Sequence, residues 1–141
     1  MWRHGEPGAS RVRVHEQRVR IRWRDMDNYG HVNNAVYLTY LEECRDAWAR
    51  EVLGLEFDFV IVRIAIDYRR ELSLADGEVV VRCWGTGYGR SSIRTREEIR
   101  TAVGELAAES ESVIVAHDGG RRRTRPLSEE HRDLLDAAIA P

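Results

Sequence analysis

Six polar residues crowd one short stretch of the chain: Asp25, Asp27, Asn28, His31, Asn33 and Asn34. They stand between an apolar alternation ending near Trp23 and an apolar helical pattern starting near Val36. A helix beginning here leaves unpaired N–H groups in its first turn, and its aligned peptide dipoles put partial positive charge at the same place. A carbonyl oxygen aimed at those groups is polarised, and the oxyanion formed on attack at its carbon is stabilised. A carboxylate a few residues upstream could make that attack or activate a water.

Thioesters suit so sparse a site. A thiolate leaves readily, since a typical thiol pKa is about 8.5, so no strong general acid is needed. An ester or amide would require one. The sequence holds no Gly-x-Ser-x-Gly elbow, no reactive-cysteine signature and no zinc motif. Asx-rich turns also cap helices without doing chemistry, so the cluster by itself leaves both readings open.

The elements around the cluster follow from periodicity. Val19, Ile21 and Trp23 alternate with Arg18, Arg20, Arg22 and Arg24, the pattern of a half-buried strand. Apolar residues from Val36 to Val52 recur at three- and four-residue spacing, predicting a helix from about Asn34 to Leu53. Asn33 or Asn34 is its N-cap and Gly54 its stop. Strands are then expected over 59–68, 78–84, 91–100 and 106–117, with Gly85, Gly87 and Gly89 marking a loop. Pro126 and Ser128 introduce a short tail helix. The short turns between strands call for antiparallel pairing. One helix cannot cover both faces of such a sheet, and the sheet has edges, so a symmetric oligomer is expected.

The chain has 141 residues, enough for one domain. We divide it into a loose arm at 1–16, a domain at 17–125 and a tail at 126–141. A net charge of −2 argues against nucleic acid as a partner. No apolar run approaches the ~18 residues of a membrane span. Cys44 and Cys83 lack metal-site spacing and read as buried thiols of a reducing compartment. With no signal-peptide pattern at the start, the expected location is cytoplasmic.

The stretch Trp23-Arg24-Asp25-Met26-Asp27-Asn28-Tyr29-Gly30-His31-Val32-Asn33-Asn34-Ala35-Val36-Tyr37-Leu38 resembles the signature of hotdog-fold acyl-CoA thioesterases of the 4-hydroxybenzoyl-CoA thioesterase type. Weaker likeness continues through Ile66 to Arg70 and Gly89 to Ser92. The resemblance implies an α+β hotdog fold: a five-stranded antiparallel sheet wrapped around one long central helix, with a short C-terminal helix. It implies a homodimer or homotetramer that uses neither cofactor nor metal. Asp27 falls on the family's nucleophile or general base, and the main-chain N–H near Asn34 on its oxyanion donor. Arg90, Ser91 and Ser92 fall where the family meets CoA phosphates at a subunit interface, with Arg69 a weaker candidate and Tyr37 a pocket residue. Plant acyl-carrier-protein thioesterases use an Asp, Asn and His set. Asp27 and His31 match two of these, while Tyr29 replaces the Asn. His31 therefore either assists catalysis or orders the turn. Three further readings stay open: an acyl-carrier-protein substrate, a hydratase on the same scaffold and a non-catalytic acyl-CoA-binding module.

Other charged residues read as structural. Glu42 and Glu43 are expected on the helix surface or paired with Arg45. Asp25 is expected to bond the turn backbone. Arg121, Arg122, Arg123 and Arg125 read as a solvated strand end, and His117 and His131 as surface residues. Tyr37, Phe57, Phe59 and Ile61 are the side chains expected to set pocket depth.

Overall fold

A computed structural model describes residues 12–139. The chain runs β1 (Val14–Arg20), α1 (Asn34–Leu53), β2 (Phe59–Tyr68), β3 (Glu78–Tyr88), β4 (Ser92–Thr101), β5 (Leu106–Asp118), β6 (Arg123–Thr124) and α2 (Glu129–Ala138). Two 3-10 turns, Trp23–Asp25 and Leu74–Asp76, interrupt the connections. The main sheet has the order β1-β3-β4-β5-β2 and is antiparallel throughout. It curls around α1 in the hotdog arrangement, and α2 packs on α1 and β3.

Local signals place α1. The Asn33 side chain accepts the Ala35 N–H at 2.9 Å, and Gly54 closes the helix at φ 98°. Its inner face carries Tyr40, Leu41, Cys44 and Trp48, each 1% exposed or less. The facing strands alternate: Val79, Val81 and Cys83 on β3, Ile93 and Ile99 on β4, and Ile114 on β5 all point to the helix. Arg18 pairs with Glu78 at 2.7 Å and Arg96 with Glu111 at 3.3 Å, cross-strand ion pairs that keep the outer sheet face polar.

Several expectations change. β1 starts at Val14, inside the expected arm, because 14–16 pair in register with 82–84 of β3. The rest of that arm, residues 1–11, lies outside the described residues. The alternation stops at Ile21 and does not reach Trp23. Asp25 Oδ2 captures the Arg22 N–H at 2.9 Å, winds 23–25 into a 3-10 turn and leaves Trp23 80% exposed. β2 does not pair with β3. The segment 69–77 carries the chain across to the other side of the sheet, and β2 becomes an edge beside β5. Gly85 and Gly87 are strand residues at a bulge, not loop residues. A two-residue strand, β6, joins β5 and makes a sixth.

Arg45 also departs from expectation. Instead of pairing with Glu42 or Glu43, it turns into the core, 3% exposed, with Nε 3.4 Å from Glu97 Oε2 on β4. Glu97 further accepts the hydroxyls of Ser110 at 2.6 Å, Ser112 at 2.7 Å and Thr95. A buried charge persists only when paired and hydrogen-bonded, and this carboxylate has both kinds of partner.

The helix lies over β1, β3 and β4, which leaves β2 poorly covered. Val60, Ile61 and Val62 on this free edge are 39%, 44% and 57% exposed. An apolar, unpaired edge is a template for pairing with another chain.

Candidate active site

The turn before α1 is a miniature hairpin. The Asn33 N–H donates to the Asp25 carbonyl at 2.8 Å, Met26 bridges Val32, and the Asp27 N–H donates to the His31 carbonyl at 2.7 Å. Asn28, Tyr29 and Gly30 close it. Gly30 sits at φ 82°, a conformation in which a Cβ is strained. The stem therefore delivers Asp27 beside the start of α1.

Asp27 is asymmetrically bonded. Its Oδ1 accepts the N–H groups of Tyr29 at 2.8 Å and His31 at 3.1 Å. Its Oδ2 takes part in no hydrogen bond among the described residues. The His31 N–H, then that of Tyr29, holds the carboxyl below the usual carboxylate range, so it is ionised at neutral pH. At the helix start, Asn33 consumes the Ala35 N–H through its side chain and the Val36 N–H through its carbonyl. The Asn34 N–H remains without a partner among the described residues. An open carboxylate oxygen and an open helix N-terminal donor thus belong to one hairpin-and-helix segment, 27–34. That pairing can attack, or activate water against, a carbonyl whose oxygen lies on the donor.

The neighbouring side chains are tied back. The His31 ring is engaged by Glu71, with Nε2 3.1 Å from Glu71 Oε2. The Tyr68 hydroxyl donates to the Asn34 carbonyl at 2.9 Å. Tyr37 is 3% exposed, spends its hydroxyl on the Arg70 carbonyl at 2.9 Å and packs edge-on to Tyr68. Arg69 stands at this end of the sheet but is held by Glu109 and Asp67. Neither Glu71 nor Tyr68 was singled out from sequence. Both come from a segment distant in sequence that lies against the turn, where the Val32 N–H donates to the Leu72 carbonyl, and no local pattern marks them.

Arg90, Ser91 and Ser92 are not brought to Asp27. Val79 pairs with Thr101 at the Asp27 end of the sheet, whereas Ser92 starts β4 at the other end. The ten residues of β4 span roughly 30 Å. At that far end the Arg90 carbonyl accepts from Leu127 and Arg132, while its guanidinium has no partner among the described residues. Phe57, Phe59 and Ile61 do line a cavity of ≈ 420 Å³, together with Glu42, Glu43 and Asp46 of α1. Glu42 lies about 12 Å along the helix from Asn34, so this cavity too is remote from Asp27 in one protomer.

Comparison with known proteins agrees on one family. A match to the thioesterase-like superfamily covers residues 21–135. The chain is 29% identical over 136 residues to the long-chain acyl-CoA thioesterase FadM of Escherichia coli K12, covering 88% of this chain and 98% of that protein. A thioesterase from Thermus thermophilus, crystallised with coenzyme A and zinc, superposes with a TM-score of 0.76 at 37% identity, covering 94% and 98% of the two chains. A DHNA-CoA thioesterase from Staphylococcus aureus shares the fold, with a TM-score of 0.76 at 16% identity over 89% of each chain. Among the described residues of the present chain, no group of three or more His, Cys, Asp or Glu is placed to hold a metal ion. No described helix is long and apolar enough to cross a membrane.

Proposed function

Since the chain belongs to the thioesterase-like superfamily and is a thioester hydrolase, we propose that it hydrolyses acyl-CoA to a carboxylic acid and free CoA at the turn of Asp27. The observation that carries this reading is that the hairpin joining Asp27 to α1 leaves both the Oδ2 of Asp27 and the N–H of Asn34 open. Oδ2 acts on the thioester carbon, as a nucleophile or by taking a proton from the attacking water. The Asn34 N–H and the helix dipole stabilise the oxyanion. The thiolate then leaves and takes up the remaining proton. Water supplies the hydroxyl of the acid, so the balance is thioester plus water giving acid plus thiol.

In this reading His31 contributes through its main-chain N–H, which positions Asp27, while its ring is engaged with Glu71. FadM, named for long-chain acyl-CoA, makes acyl-CoA the first substrate class to try. An acyl-carrier protein carries the same thioester and is the second. The buried free thiols of Cys44 and Cys83 fit a reducing compartment such as the cytoplasm.

The working unit is a homodimer. Coenzyme A anchored on Arg90 would have to run the length of the sheet to meet Asp27 of the same protomer. Antiparallel pairing of two β2 edges about a two-fold axis covers Val60–Val62. It also sets the Phe59 end of one strand beside the Tyr68 end of the other. The partner's Arg90 is thereby carried toward Asp27.

The test is thiol release from short, long and aromatic acyl-CoA thioesters by wild type and Asp27→Asn. Turnover lost in the variant, with an unchanged circular dichroism spectrum, is the expected result. A variant that keeps most of its activity overturns the assignment of Asp27.

A further inference from the structure

One carboxylate near the site is inaccessible to substrate. Asp25 is 2% exposed, yet it collects three donors: the Arg22 N–H at 2.9 Å, the Arg22 guanidinium at 3.2 Å and the Tyr40 hydroxyl at 2.7 Å. Tyr40 lies on the second turn of α1 and is 1% exposed. The bond to the Arg22 N–H serves the local 3-10 turn, but the bond to Tyr40 reaches beyond it, and burying a charge for that contact is not required by stability alone.

Connectivity suggests a reason for it. Asp25 is the first residue of the hairpin stem, and its carbonyl accepts the N–H of Asn33, the residue before the helix. Its side chain reaches the same helix through Tyr40. Main chain, helix and side chain close a ring from Asp25 through Asn33 and Asn34 to Tyr40 and back. Asp27 follows two residues later in the stem, so its distance from the Asn34 N–H is set by this ring. Without the Tyr40 hydroxyl, the stem near Asp25 is held to the helix start by the Asn33–Asp25 main-chain bond and the short Met26–Val32 bridge.

We propose that Asp25 and Tyr40 are positioning residues for the reaction, a buried clamp that fixes the Asp27 carboxylate against the N-terminus of α1. The inference rests on the reading of Asp27 given above. The groups facing Asp27 are His31 on its own turn, with Glu71 behind it. Arg22 and Tyr40 face Asp25 and not Asp27.

The variants are Tyr40→Phe, which removes one oxygen and keeps the ring, and Asp25→Asn, each made in the wild-type and Asp27→Asn backgrounds. The measurements are kcat, KM, the pH–rate profile and the melting temperature. Misplacement of a reacting group by about 1 Å costs up to about a hundredfold in rate, so kcat is expected to fall by about ten- to a hundredfold, with KM within about twofold. A loosened turn weakens the N–H bonds from Tyr29 and His31 to Asp27, so the acid limb of kcat moves to higher pH. In the Asp27→Asn background the same substitution changes the residual rate little. A Tyr40→Phe enzyme with wild-type kcat and acid limb, differing only in melting temperature, overturns the clamp. So does a rise in KM at constant kcat. If Asp27→Asn itself retains full activity, the functional reading falls and the clamp falls with it. If Asp27→Asn is inactive and Tyr40→Phe is unaffected, only the clamp falls.

Discussion

The main-chain N–H of His31 donates to Oδ1 of Asp27 across 3.1 Å, while the ring of the same His31 faces Glu71. One residue thus holds the carboxylate with its main chain and pairs its ring with Glu71. The bond favours the ionised form of Asp27, whose pKa lies below the usual value of about 3.9. On the proposed mechanism the ionised form of Asp27 is the active one, so kcat should stay level from neutral pH down to about pH 4 and fall only below it. Stopped-flow thiol detection across pH, with circular dichroism at each point, checks this. A limb well above the carboxylate range would mean that a group other than Asp27 controls the rate.

Arg45 and Glu97 make a second measurable pair. Truncating one member of a buried ion pair leaves an uncompensated charge, which costs about 3–5 kcal/mol. Arg45→Ala should therefore lower stability by that amount, read from urea titrations. Arg50→Ala, which removes an exposed i,i+4 pair with Asp46 and an exposed bond to the Leu55 carbonyl, should cost less than about 1 kcal/mol. Equal effects from the two substitutions would mean that the buried cluster carries no special weight.

These two cases show which features the sequence made legible. α1 and β2 occupy the expected residues because their limits are local: the Asn33 cap, the Gly54 stop and a run of β-branched residues. The position of β2 at the far edge was not legible, since its partner is chosen by the crossing of 69–77 and not by turn length. Arg45 stands at a core position by spacing, between Leu41 and Trp48. Glu97 keeps the period of two with Ile93, Thr95 and Ile99. Their charge argued for the surface, and the serines that satisfy Glu97 belong to another strand. Asp27, His31 and Asn34 sit in one contiguous motif and could be nominated together. Glu71 and the tie between Asp25 and Tyr40 exist only once the chain has folded.

Gly85 tests how closely the sheet approaches α1. A Cβ built there would lie 2.7 Å from Cζ2 of Trp48, a side chain with 0% exposure. The indole is anchored by its N–H to the Arg13 carbonyl at 3.1 Å, so it has little freedom to retreat. Overpacking of this kind costs about 1–3 kcal/mol, and Gly85→Ala should destabilise by that amount. A neutral result in thermal melts would show that Trp48 can shift.

Subunit mixing tests whether the site is shared between protomers. Asp27→Asn lacks the carboxylate proposed to react, and Arg90→Glu places a negative charge where CoA phosphates are proposed to bind. Each homodimer should have a low kcat/KM. When equal amounts are unfolded together and refolded, about half of the dimers are mixed. A mixed dimer has one site with both residues intact, Asp27 from one chain and Arg90 from the other, and a second site with both substituted. Activity should therefore recover to about a quarter of wild type. Recovery requires that the two residues act across the interface. If mixing restores nothing while gel filtration still shows dimers, Asp27 and Arg90 do not act across the interface.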